Sequence, residues 1–174
     1  MSNETRLANL FGAAMLTAGD IVGPAIEASL GQRGAAAAAL VHLADYPGES
    51  VEQLFRVLRI SQPGAVSVVD RLAAAGLLER QAGKDRRTIA LFLTTTGKTE
   101  VSKLLRQRAK ALETLLSPLC EQERRDLTPL LEKIVAGLAQ DRPQARTVCR
   151  LCDRRSCCRG PGCPLQHTVG TPAR

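Results

Sequence analysis

The cysteines are the first residues whose types and spacing could do chemistry. Five of the six fall in residues 141–174, as Cys149, Cys152, Cys157, Cys158 and Cys163, in the pattern C-x2-C-x4-C-C-x4-C with His167 beyond. A C-x2-C knuckle lets one tight turn present two sulfurs to a tetrahedral metal at about 2.3 Å, and later thiolates complete the shell. We therefore read Cys149, Cys152, Cys157 and Cys163 as a Zn²⁺ ligand set, with Cys158 spare and His167 a substitute. Arg150, Arg154, Arg155 and Arg159 would offset the thiolate charge. The same arginines lower thiol pKa, so a reversible thiol–disulfide switch stays open. An iron–sulfur cluster and a disordered basic tail with idle thiols stay open too. Structural disulfides are rare in the cytosol. Cys120, between two helical patterns, reads as packing.

A second feature is cationic. The loop Ala82-Gly83-Lys84-Asp85-Arg86-Arg87 separates Leu77–Arg80 from Thr88–Leu93, where Ile89, Leu91 and Leu93 alternate with Ala90, Phe92 and Thr94. Alternation flanking a polar loop predicts a β-hairpin with a charged tip.

Helices must position both features. Apolar residues recur at helical spacing over 5–30, with Gly23-Pro24 expected to bend or break that helix. An Ala-rich helix is predicted over 34–45, ended by Pro47-Gly48. Ser50 and Gln53 form a capping-box pattern opening a third helix. Ser61 caps a fourth, with Pro63 in its first turn and Val66, Val69, Leu72 and Ala73 as its buried face. The two capped helices in 50–75 have helix-turn-helix spacing, and the hairpin follows directly. Long amphipathic helices are predicted from Thr95 to Ser117 and from Glu121 to Ala139. Pro129 either kinks the second of these or restarts it with Thr128 as cap. Their stripes exceed what a small helix-turn-helix unit can cover, so a second chain is the expected partner.

The composition of the 174 residues sets limits. Aromatics are 2% and Trp is absent, so the core must be aliphatic, and stacking of unpaired bases lacks platforms. The net charge of +7 is uneven. Residues 56–110 hold 12 basic and four acidic side chains, and the tail holds seven Arg and two Asp. A body polarised in this way suits a polyanion. No Ser/His/Asp set, phosphate-binding Gly-rich loop or paired-carboxylate motif is present, so catalysis is not expected. No apolar run is read as approaching the ~18–20 residues of a membrane span. The opening MSNETRLANL lacks a secretory pattern, so the expected compartment is the cytoplasm, without a membrane partner.

A helix pair followed by a cationic hairpin is, physically, a winged helix: one helix reads the major groove and the wing reaches the minor groove or phosphates. Here the chain resembles the MarR family of bacterial transcriptional regulators. Asp85-Arg86-Arg87-Thr88-Ile89-Ala90-Leu91-Phe92-Leu93-Thr94 with Gly97 matches D-x-R-x-x-x-L-x-L-T-x-x-G. Val69-Asp70-Arg71-Leu72 and Gly76-Leu77-Leu78-Glu79-Arg80 match V-D-R-L and G-L-hydrophobic-x-R. The resemblance covers residues 5–140. It implies a mainly α fold with a small hairpin wing: helix-turn-helix 50–75, wing 77–94, dimerisation helices 5–30 and 95–140, and the basic Cys-rich tail 141–174 as an addition.

The resemblance further implies a homodimeric repressor on palindromic double-stranded DNA, responding to an unidentified small-molecule, metal or redox effector. Gln62 and Ser67 would face bases. Arg71 would contact phosphate or pair with Asp70 or Glu79. Arg87 would enter the minor groove, oriented by Asp85, while Lys84 and Arg86 hold phosphates. Arg80 reads as a structural pair at the strand end. Ser67 departs from the Arg or Lys common in the family, which is expected to weaken binding or shift more of it onto the wing. A different class, a metal- or thiol-redox-handling protein with a merely dimerising body, stays open on the strength of the tail.

Overall fold

The computed structural model describes residues 3–30, 34–83, 88–159 and 162–165; of residues 29 and 30 only the backbone is described. The elements in chain order are α1 (Asn3–Leu30), α2 (Ala35–Asp45), α3 (Val51–Leu58), α4 (Gln62–Ala74), β1 (Leu78–Ala82), β2 (Ile89–Leu93), α5 (Thr95–Leu116), α6 (Glu121–Ala136), α7 (Arg142–Val148) and α8 (Arg154–Cys157). This is the expected mainly helical fold with a two-stranded antiparallel wing.

α2 lies at the centre, buried from Ala36 through Leu43. A helix that is apolar all round is stable only when covered on every side. Its alanines let α3, α4, α5 and β2 approach closely. The largest fully enclosed side chains are Leu40, Leu43, Leu54, Leu72, Leu91, Leu104 and Val69, so the core is aliphatic as the composition requires. Each such Leu contributes about 1.5–3 kcal/mol by leaving water.

The wing register pairs Leu78 with Leu93 and Ala82 with Ile89. Glu49, just before α3, forms an isolated bridge to Leu91, which ties the start of the helix-turn-helix to the wing. Two glycines are sterically fixed. A Cβ on Gly83 would lie 2.4 Å from Thr88 Oγ1 at the neck of the wing. A Cβ on Gly97 would lie 2.0 Å from the Leu77 carbonyl oxygen. Thr94 completes that joint, its hydroxyl donating to Gly76 O at 2.7 Å and accepting from Gly97 N at 3.0 Å. The L-T-x-x-G sequence is thus the hinge that seats α5 on the wing.

Several expectations need correction. α1 runs unbroken through Gly23-Pro24. Packing along α5 holds it together despite the missing amide. α6 is likewise continuous through Pro129, and Thr128 is not a cap: its hydroxyl donates back to Arg124 O at 2.8 Å. α6 stops at Ala136, with Gly137 as C-cap, rather than at Ala139. Val66 is exposed, and the buried face of α4 is Ala65, Val68, Val69 and Leu72. Both faces have helical spacing, and the seat of α4 against α2 and α3 selects between them. Cys120 is exposed at the N-cap of α6. Asn3–Ala28 is, by length and composition, apolar enough to cross a membrane, contrary to the expectation.

Candidate nucleic-acid interface

Both helices of the helix-turn-helix are capped as their sequences require. Ser50 Oγ accepts from Gln53 N at 3.3 Å while Gln53 Oε1 accepts from Ser50 N at 2.8 Å. α3 ends on Arg59 in the left-handed region, φ 54°. Ser61 then accepts from Gly64 N at 3.2 Å and opens α4. With Ala65, Val68, Val69 and Leu72 buried, the outer face of α4 is Gln62, Pro63, Val66, Ser67, Asp70 and Arg71. The structure therefore brings the predicted Gln62, Ser67 and Arg71 onto one exposed face. Val66 joins them, an apolar group that sequence reading had buried.

Arg80 is committed to Asp70, the strand-end pair expected of it. Glu79 accepts instead from Gln81 Nε2 at 2.8 Å. Among the described residues Arg71 has no carboxylate partner; its Nε reaches only Ser67 O, at 3.4 Å. On this face Arg71 is exposed and pairs with neither Asp70 nor Glu79. Lys84, Asp85, Arg86 and Arg87 lie outside the described residues, as does His167. The base of β1 is joined to the outer face of α4 through Arg80 and Asp70.

The tail folds onto this domain. α7, capped by Asp141 accepting from Gln144 N at 2.8 Å, packs on α3. Arg146 Nη1 meets the buried Glu49 Oε1 at 2.5 Å, and Glu49 Oε2 lies 2.6 Å from His42 Nε2. Tyr46 stacks on His42, with ring centroids 4.7 Å apart, and carries the Arg146 guanidinium over its face at 4.2 Å. Arg154 Nη1 donates to Tyr46 Oη at 2.8 Å. Leu151, inside the C-x2-C knuckle, packs against the main core. None of these brace residues announced itself in the sequence, because partners such as Tyr46 and Arg154 are more than 100 positions apart.

Around the knuckle, the Cys149 thiol donates to Cys152; Cys149 is held above its ordinary value and Cys152 is drawn down to about 6, helped by Arg108 and Arg150. Burial, with Cys163 and Cys152 nearby, pushes Cys157 up to about 11. Burial also raises the Asp45 carboxyl, against the pull of Arg154. All six thiols are free. Among the described residues, no three His, Cys, Asp or Glu side chains are already arranged around a common metal position.

A capped helix pair with a polar outer face, hinged to a hairpin, defines a winged helix-turn-helix domain. Residues 31–88 match the sequence profile described as the MarR family. The regulator PecS of Dickeya dadantii (strain 3937) is 30% identical over 94 residues, which cover 53% of this chain and 57% of PecS, so the match spans little more than half of that relative. Wild-type MarR from E. coli superposes with a TM-score of 0.65 at 21% identity, over 74% of this chain and 95% of that one. A probable transcriptional regulator from Pseudomonas aeruginosa gives 0.56 at 26%, over 74% and 98%. The winged-helix body of this chain is thus similar to the MarR family over residues 31–88 and shares the fold of the solved MarR structure.

Proposed function

We infer that the protein is a homodimeric transcriptional regulator, acting as a repressor on a palindromic operator in the cytoplasm. The observation that carries this reading is the outer face of α4: Gln62, Val66, Ser67 and Arg71, which has no carboxylate partner among the described residues, displayed on the helix that precedes the wing. α4 would lie in the major groove, where Gln62 and Ser67 meet base edges and Arg71 a phosphate. Arg87, oriented by Asp85, would enter the adjacent minor groove, with Lys84 and Arg86 on phosphates. A planar guanidinium suits that narrow electronegative groove. PecS is named as a regulator of the same type, which supports the assignment over an enzymatic one.

The partner copy has a place to dock. Leu7, Leu10, Phe11, Met15 and Leu16 of α1 are exposed, as are Leu130, Leu131, Ile134 and Leu138 on or just past α6. Apolar stripes of this size, left open by the chain's own fold, fit a symmetric interface. The α1 face is assigned to the second copy rather than to lipid because the opposite side of the helix packs on the amphipathic α5. A small-molecule effector would fit the cleft of 740 Å³ between α2, the start of α5 and the tail, where Lys98, Arg106, Arg154 and Arg155 favour an anion.

Binding of full-length protein to promoter fragments, followed by fluorescence anisotropy over a salt series, tests the reading. Affinity should fall steeply with salt, and Arg87→Ala should weaken it by roughly 10-fold or more, the worth of one good groove contact. Affinity that survives Arg87→Ala and Arg71→Ala unchanged overturns it. The second reading, metal or thiol handling, draws on the folded cysteine tail and is developed below as a site within the regulator.

A further inference from the structure

The tail assembles its cysteines from three short pieces of chain. α7 ends at Val148, and Cys152 N donates to Cys149 O at 2.9 Å, closing the turn that sets these two sulfurs together. Asp153 then caps the four-residue α8, accepting from Arg155 N at 3.1 Å and from Ser156 Oγ at 2.7 Å, and so places Cys157. Gly162, with φ 89°, turns the chain back into Cys163, which is buried. Cys163 is within side-chain hydrogen-bonding reach of both Cys149 and Cys157. Cys158 instead faces Arg154. The module's own apolar cluster is small: Ala139, Ala145, Cys163 and Leu165, with Val135, Val148, Cys149 and Cys158 packed against it. So little buried surface seldom holds a unit of this size together without a cross-link, and no disulfide supplies one.

We propose that Cys149, Cys152, Cys157 and Cys163 bind one Zn²⁺ as four thiolates, and that the bound metal locks α7 and α8 against the helix-turn-helix through Tyr46 and Glu49. Tetrahedral zinc with bonds of about 2.3 Å needs sulfurs ~3.8 Å apart, so binding requires side-chain rotation and backbone shifts to bring these neighbouring thiols around one point. Binding releases the thiol protons and leaves a dianionic centre. Arg108 and Arg150 lie beside Cys152 to offset that charge. Zinc rather than an iron–sulfur cluster is assigned because a C-x2-C turn with two further thiolates is the ligand set that a single tetrahedral Zn²⁺ takes. The consequence is mechanical. Cys149 follows the helix that carries Arg146, Leu151 sits inside the knuckle, and Arg154 follows it. Zinc therefore fixes the three groups that grip Tyr46, Glu49 and the main core. Glu49 is bridged to Leu91 at the base of the wing, so metal occupancy reaches the DNA-reading elements. This coupling rests on the regulator reading; the metal site does not.

Metal is measured first, without DNA. Full-length protein purified anaerobically, without a metal-binding tag, should hold one zinc per chain by elemental mass spectrometry. Stripped protein titrated with Co²⁺ should gain the thiolate charge-transfer and visible bands of a tetrahedral tetrathiolate site. Cys152→Ser and Cys163→Ser should lose that stoichiometry, while Cys158→Ser and Cys120→Ser keep it. A chain with no retained metal and no Co²⁺ signature overturns the site, as does iron in place of zinc, or a Cys158→Ser loss equal to that of Cys163→Ser. Hydrogen exchange then tests the coupling: stripping zinc should raise exchange at least several-fold in α7 and in residues 46–54. Equal exchange there, with zinc shown to be gone, overturns the coupling and leaves the site standing.

Discussion

At the scale of single residues, the site divides into side chains that read a partner and side chains that hold the readers still. On the proposed function Gln62, Ser67 and Arg71 belong to the first group, while Arg80 and Asp70 belong to the second. Their mutants should differ in kind. Arg71→Ala should weaken binding across all sequences and lower the salt slope by about one, as loss of one phosphate contact does. Gln62→Ala should instead change which operator is preferred, by roughly 1–3 kcal/mol at one base position. Anisotropy on a panel of operators in a salt series separates the two, and identical behaviour would contradict the assignment. Gly97 is fixed by contact rather than by function. Gly97→Ala drives a methyl into the Leu77 carbonyl and must push α5 off the wing. Overpacking of this sort costs about 1–3 kcal/mol, and calorimetry should show Tm falling by several degrees.

At the scale of elements, the ends of helices decide where the functional face begins. Ser61→Ala leaves the Gly64 amide without its cap and should cost ~1 kcal/mol, fraying the turn of α4 that holds Gln62. Arg59 tells the opposite story. Its positive φ, between the two helices of the motif, is a conformation glycine adopts freely. Arg59→Gly should therefore retain or slightly raise Tm in thermal unfolding. The first turn of α6 carries a pH dependence of known sign. Hydrogen bonds from the Cys120 amide and side chain hold the Glu123 carboxyl below its ordinary 4.5. The support it gives is present above that value and lost as pH falls through the lowered one. NMR titration should show Glu123 protonating below the other exposed glutamates, and a normal value would remove this cap from the account.

At the scale of the whole molecule, two surfaces join what the chain leaves open. The α1 and α6 stripes are assigned to a second copy, so Leu130→Glu with Ile134→Glu should yield monomers in sedimentation and weaken operator binding together. The second surface is internal. Tyr46 ties α2 to a tail arriving from the far end of the chain, with two guanidinium groups over its ring. Tyr46→Ala should free α7 and α8 for cleavage in limited proteolysis while α1 to α5 persist. A tail as resistant as in the parent chain would mean that Leu151 and the Glu49–Arg146 pair suffice.

Much of this protein is written locally and so was legible. The capping box at Ser50, the cap at Ser61, the alternation in Ile89–Leu93 and the D-x-R to L-T-x-x-G run each encode their own structure within a few residues. The wing and the helix-turn-helix therefore follow from sequence, as does the exposure of Gln62, Ser67 and Arg71 on one face of α4. Spacing also nominated Cys149 and Cys152 as neighbours, and the turn closed by Cys152 N on Cys149 O is local for the same reason. What sequence left undecided were choices among equivalent local patterns. Val66 and Val68 fit a buried stripe equally well, and only the packing of α4 on α2 and α3 selected between them. Pro24 and Pro129 break isolated helices, yet tertiary packing carries α1 through one, and α6 also runs on through the other. The tail read as an appendage because its grip on Tyr46, Glu49 and the core is made of contacts about a hundred residues apart. Local pattern fixes which elements form; long-range contact energy, invisible in any short window, fixes which faces they bury and what they touch.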